Sequence, residues 1–203
     1  ESVFAKGWAE RLAQGIVDTG ATTPEAIRNA LPEWQSEWRE AVRSRTRDRP
    51  WYVAAKAAEG AFAAVLGLSL HADGGWRAVS VGDCCLFHVR GEECLKSWPF
   101  GMPDAFTNRP ALVPSRSEQD VPSPETITGT WRPTDRFVLA TDAVATWFLK
   151  EGLPMGARLR EDALPEAIKA ARADGSLRND DATVLVLDLA ASPEASDGAP
   201  ACS

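Results

Sequence analysis

Apolar residues at the start of the chain fall four apart, at Phe4, Trp8, Leu12 and Ile16. That spacing predicts a helix over roughly the first 17 residues, with one stripe turned to a core. Asp18 to Ala21 ends it. Thr23-Pro24-Glu25 then reads as a helix start, with Thr23 as N-cap and Pro24 at the first helical position. Ile27, Ala30, Leu31, Trp34, Trp38 and Val42 carry a second stripe, within which Pro32 predicts a kink or a break into two helices. Trp34 and Trp38 read as a packing ridge rather than a platform for stacking a ligand. Arg39 to Pro50 is expected to be a polar connection, and Trp51 to Glu59 a further helical piece.

From Gly60 the period changes. Ala61 to Leu70 (AFAAVLGLSL) is continuously apolar, Asp73-Gly74-Gly75 signals a turn, and Trp76 to Val81 answers it, which predicts a hairpin. Gly82-Asp83 interrupts, Cys84 to Arg90 reads as the next strand, Gly91-Glu92-Glu93 turns, and Cys94 to Trp98 returns. The expectation is a meander of antiparallel strands. Pro99 to Trp131 holds six prolines and no sustained period, so it reads as a long surface excursion. Long loops usually serve binding or are disordered, which makes this one a candidate substrate or partner element.

The stretch Thr134 to Lys150 (TDRFVLATDAVATWFLK) organises the rest. Phe137 to Ala140 is the short unbroken apolar run of a strand buried on both faces, introduced by the Pro133-Thr134-Asp135 turn signal. After Asp142 the apolar positions Val144, Trp147 and Phe148 take helical spacing. Asp142 therefore stands at a strand-to-helix junction, where an aspartate serves either as a helix N-cap or as a metal ligand at the rim of a sheet. A second carboxylate cluster, Asp180-Asp181, favours the metal reading, because it opens another apolar strand, Ala182 to Leu189. Between them lie a Gly/Pro-containing connection, Gly152 to Gly156, and a helix over Leu164 to Ala173. Ala190 to Ser203 is small, polar and expected to be a disordered tail. Helices, then antiparallel strands, then strand-helix-helix-strand suggest an α+β sandwich with helices covering sheet faces.

At 203 residues and 44% hydrophobic, the chain suits one domain with a sizeable core. A formal charge of −7 argues against a nucleic-acid partner, and the basic run Arg39 to Arg49 is interrupted by acids. Nothing approaches the ~18 consecutive apolar residues of a membrane span. The four cysteines include no CxxC pair, and Cys84 and Cys85 are strand neighbours that face opposite ways. With only His71 and His88 beside them, neither a zinc site nor a cysteine-histidine nucleophile fits, and reduced thiols point to a cytoplasmic setting. His88 reads as a strand residue.

Four local patterns together resemble one family, the PP2C-type metal-dependent protein serine/threonine phosphatases. VGDCCLFHVR resembles the family's Val-Gly-Asp-Ser-Arg and following strand, with Gly82 and Asp83 matching and Cys84-Cys85 in place of Ser-Arg. DRFVLATDAVATWFL resembles its strand and Ser/Thr-Asp-Gly helix start, with Asp142 at a metal-ligand position and Ala143 in place of glycine. NDDATVLVLDL resembles Asp-Asn-x-Thr and the final strand, with Asp180 at a second metal-ligand position, Asp181 replacing asparagine and Thr183 retained. GAFAAVLGLSL resembles the strand that opens the family's central hairpin.

The resemblance implies an αββα sandwich of antiparallel sheets covered by helices, occupying residues 1–189 with a tail at 190–203. It also implies two Mg2+ or Mn2+ ions, with Asp142 and Asp180 as ligands and a metal-activated water, not a side chain, attacking phosphorus. Asp83 is a turn or strand-end residue with at most a supporting role. The family's phosphate-binding arginine, acidic pair and Asp-Gly-x-Gly-Gly metal loop do not occur in the sequence, and ESVFAKGW resembles the helix that follows that loop. The expectation is a phosphatase domain lacking the family's N-terminal strands, acting on phosphoserine or phosphothreonine in a protein substrate, with a cognate protein kinase as a further partner and a role in signalling. The alternative is a catalytically inactive module of the same fold that binds a phosphoprotein or kinase.

Overall fold

In the computed structural model, which describes residues 3–107, 109–152 and 163–189, the apolar stripes stack into four layers. The elements run α1 (Val3–Thr19), α2 (Pro24–Thr46), α3 (Trp51–Ala58), β1 (Phe62–Ala63), β2 (Val65–Leu70), β3 (Gly75–Val81), β4 (Cys85–Arg90), β5 (Glu93–Trp98), β6 (Val113–Pro114), β7 (Glu125–Thr130), β8 (Asp135–Ala140), α4 (Asp142–Glu151), α5 (Leu164–Ala173) and β9 (Val184–Asp188). One sheet has the order β2-β3-β7, the other β5-β4-β8-β9, and β1 pairs with β6. Every pairing is antiparallel.

Three apolar clusters separate the layers. Trp8 and Leu12 of α1 and Ile27, Leu31, Trp34 and Trp38 of α2 pack on Val65, Val79 and Val81 of the first sheet. Trp76, Ala78, Leu86, Trp98 and Phe137 fill the space between the sheets. Phe87, Val138, Val144 and Phe148 join the second sheet to α4. Strand alternation explains the division: on β8, Phe137 faces the other sheet while Val138 and Ala140 face the helices. The run Phe137 to Ala140 is apolar throughout because both of its faces are covered. This is the expected αββα sandwich of antiparallel sheets.

Several expectations change. Pro32 does not break α2, which runs unbroken through Thr46 and takes in part of the stretch expected to be a polar connection. Proline costs about 3 kcal/mol inside a helix. Here it lies on the exposed face, while Ile27, Leu31, Trp34, Gln35, Trp38 and Val42 bury the opposite one. Burying a large apolar side chain contributes about 1.5–3 kcal/mol, so the stripe outweighs the proline. Close crossing of α1 over α2 needs Gly15, where a Cβ would stand 2.4 Å from the Trp34 ring.

The strand expected over Ala61 to Leu70 is divided into β1 and β2. The meander is also divided, because β2 and β3 belong to one sheet and β4 and β5 to the other. The chain changes sheets at Gly82-Asp83-Cys84. The Pro99 to Trp131 excursion is more structural than expected. Its β7 completes the first sheet, and its β6 is fastened to the helices by the Trp8 indole N–H on Val113 O at 2.9 Å and the Gln35 amide on Pro114 O at 3.0 Å. The connection expected at Gly152 to Gly156, beyond Gly152 itself, and the tail at 190–203 lie outside the described residues. Among the described residues, no helix is long and apolar enough to cross a membrane.

Candidate metal centre at the β8 and β9 corner

Three turns converge at one rim of the sandwich. The first is the sheet change at Gly82-Asp83. Gly82 has φ +107°, and a Cβ there would meet Ala64 Cβ at 2.7 Å, so glycine is required for the turn that presents Asp83. Asp83 is half-buried. Burial first, then the negative charges of Asp142 and Asp180, push its carboxyl above the ordinary value, against the pull of a backbone hydrogen bond and of Arg178.

The second turn carries Asp142, two residues past the end of β8. Thr141 takes the N-cap position of α4 and Asp142 is its first residue, so Asp142 is not the cap that its junction position allowed. Its side chain is 24% exposed and pairs with Arg178 Nη2. Thr141 makes the corner rigid by binding the third turn. Its N–H donates to Thr183 O at 3.1 Å, its hydroxyl accepts from Thr183 N–H at 3.0 Å, and the same hydroxyl donates to Asp181 O at 3.2 Å.

The third turn enters β9. Asp180 Oδ1 accepts from Asp181 N–H at 2.8 Å, which leaves Oδ2 to face Arg178 Nη2 at 3.2 Å. Arg172 Nη2 donates to Asp180 O at 2.5 Å. Of the acidic pair, Asp180 turns its carboxylate to the corner, whereas Asp181 engages it through its backbone.

Asp142 and Asp180, far apart along the chain, thus reach the same guanidinium nitrogen. Arg178 was not foreseen in the sequence, although a cation two residues before an acidic pair is a visible signal. The sequence also gave no hint that Asp135 is more than a turn residue. It is a buried carboxylate gripped by Arg90 and His88, which are two apart on the facing strand β4.

No protein-family model matches the chain, and no curated protein matches it. Solved structures do. The catalytic domain of the serine threonine protein phosphatase PstP, in complex with two manganese ions, superposes with a TM-score of 0.57 at 16% identity, over 92% of this chain and 82% of that one. PppA, a key regulatory component of T6SS in Pseudomonas aeruginosa, gives a TM-score of 0.50 at 15% identity, over 80% of this chain and 68% of that one.

The chain has the PP2C-type phosphatase fold.

Two hard carboxylates aimed at one cationic centre fit a single Mg2+ or Mn2+, since such ions are commonly held by one or two carboxylates together with waters and substrate oxygens. They do not fit two ions. Among the described residues, no group of three or more His, Cys, Asp or Glu could hold a metal. A two-ion centre in this PP2C-type fold needs carboxylates beyond the pair. Cysteine chemistry has no place at the rim either. Burial first, and then nearby negative charge, pushes the Cys84 thiol up to about 12, and burial does the same to Cys85.

Two cavities flank the corner. An apolar one of about 220 Å³ is bordered by Leu12 and Ile16 of α1, Cys84, Thr141 and Thr183. A more polar one of about 230 Å³ runs from Asp83 to Phe100, Thr107 and Arg109 of the proline-rich segment.

Proposed function

We propose that the protein is a metal-dependent phosphoprotein phosphatase that hydrolyses phosphoserine and phosphothreonine, with Asp142 and Asp180 as ligands of Mg2+ or Mn2+. The observation that carries this reading is the meeting of the two carboxylates at one cation on the rim of a PP2C-type fold. When bound, such an ion lowers the pKa of a water and draws charge from phosphoryl oxygens, so that water serves as nucleophile at neutral pH. The chain's own residues hold and orient. Thr141 ties the Asp142 turn to the Asp180 turn, and the Asp181 N–H fixes the Asp180 carboxylate plane. Asp83 sets the charge around the pair and takes up a proton more readily than an ordinary aspartate. The polar cavity beside Asp83 offers the substrate's polypeptide a place against the proline-rich segment.

The test is hydrolysis of phosphoserine and phosphothreonine peptides by the full-length protein with and without Mn2+, repeated with Asp142→Asn. Mn2+-dependent turnover that the substitution abolishes is expected. Equal rates in every case overturn the assignment.

A second reading is favoured by one observation, the ion pairing of both carboxylates with Arg178. In it the domain is catalytically inactive and uses the same rim to bind a phosphoprotein or a kinase. Phosphopeptide binding without turnover, with or without Mn2+, would decide for it.

A further inference from the structure

Arg178 stands between the two proposed ligands, with Nη2 on Asp142 Oδ2 and 3.2 Å from Asp180 Oδ2. We propose that Arg178 is a positioning residue, a resident counter-ion that keeps the Asp142 and Asp180 carboxylates convergent until a divalent cation displaces it. The inference rests on the metal-dependent reading above.

Two carboxylates facing one point repel each other. A guanidinium cannot release its proton, so it supplies a permanent positive charge at that point. Its single charge leaves the pair half-neutralised, with Asp83 adding to the excess, whereas a divalent ion balances both carboxylates.

The surroundings let the exchange occur without a change of fold. The turn that carries Arg178 is anchored on both sides of it: Leu177 is buried and its N–H donates to Ala171 O at 2.9 Å, while Arg172 holds Asp180 O. Only the side chain at 178 has to move. It is 55% exposed, and exposed ion pairs are individually weak, so release into water is easily offset. Asp180 Oδ1 stays on Asp181 N–H, and the backbone of Asp142 is fixed as the first residue of α4.

Calorimetric titration of the full-length protein with Mn2+ alone, in its wild-type form and as Arg178→Gln and Arg178→Lys, tests the proposal. Melting temperatures in chelator are recorded alongside. Arg178→Gln is expected to melt lower in chelator and to bind Mn2+ about tenfold more tightly, because two weak competing contacts are gone. Arg178→Lys keeps the charge but not the fork, and its Kd is expected to fall between the two; that value carries the test if the glutamine variant does not fold. Unchanged or weaker Mn2+ binding in the variants overturns the inference, as does a loss of melting temperature of equal size with and without Mn2+, the mark of a purely structural arginine. Absence of Mn2+ binding in wild type and variants alike overturns the metal reading, and the inference with it.

Discussion

Strand β8 has an aspartate near each end, and the two are held in opposite ways. Asp135, at its start, is 1% exposed. Its carboxylate takes Arg90 Nε at 2.6 Å and Nη2 at 2.8 Å, His88 Nε2 at 2.7 Å and the Arg132 N–H at 2.9 Å. His88 is itself stacked on Phe137, with ring centroids 4.5 Å apart, and Trp76 meets both rings edge-on. Asp142, beyond the other end, is partly exposed and pairs with a half-exposed arginine. A carboxylate with its lone pairs saturated by fixed donors is a structural tie. One that shares a half-exposed guanidinium with a second carboxylate has a partner that water or another cation can replace.

The largest difference between the two ends is expected in stability. Asp135→Ala leaves the buried His88 and the partly exposed Arg90 without the carboxylate they share and should cost about 1–3 kcal/mol, the usual range for losing hydrogen bonds to a buried charged group. Asp142→Asn should change stability by less than about 1 kcal/mol, and under the proposed function it should abolish Mn2+-dependent hydrolysis. Urea unfolding of the two variants checks both figures, and a comparable loss for each would erase the contrast.

Acid titration sharpens it next. Burial alone would raise the Asp135 carboxyl, but the hydrogen bonds from Arg90, His88 and Arg132 N–H hold it well below the usual carboxylate range. Its folded value is thus the depressed one. Its contribution is complete above the ordinary aspartate value of about 3.9 and is lost as pH falls from there toward the folded value. The gap in unfolding free energy between wild type and Asp135→Ala should shrink below about pH 4. A gap that stays constant down to pH 2 would show that the carboxylate's charge does not matter.

The smallest effect is at Asp83, with the opposite sign. Its folded value is raised, so the folded state binds the proton more tightly, and stability falls as pH rises from the ordinary aspartate value through the folded one. Without metal, Asp83→Asn should stabilise the protein slightly at pH 7 and not at all below about pH 4. Thermal melts at the two pH values measure this.

Sequence periodicity alone determined most of the elements and the apolar face that each one buries. The four-residue stripes of α1 and α2, the Asp73-Gly74-Gly75 hairpin and the doubly buried run of β8 are local patterns, legible because each element must bury an apolar face wherever it goes. The motif resemblance also singled out Asp142 and Asp180 as candidate ligands, and the fold brings both carboxylates to Arg178. Two things could be decided only by the fold: which sheet each strand joins, and which charges meet. The change of sheet at Gly82-Asp83, the use of β7 to complete the first sheet, the gripping of Asp135 from β4 and the meeting of two aspartates on Arg178 all depend on contacts between residues distant in the chain. Electrostatic partnership is set by distance in space, and a linear pattern carries no record of that until the sheets have closed on each other.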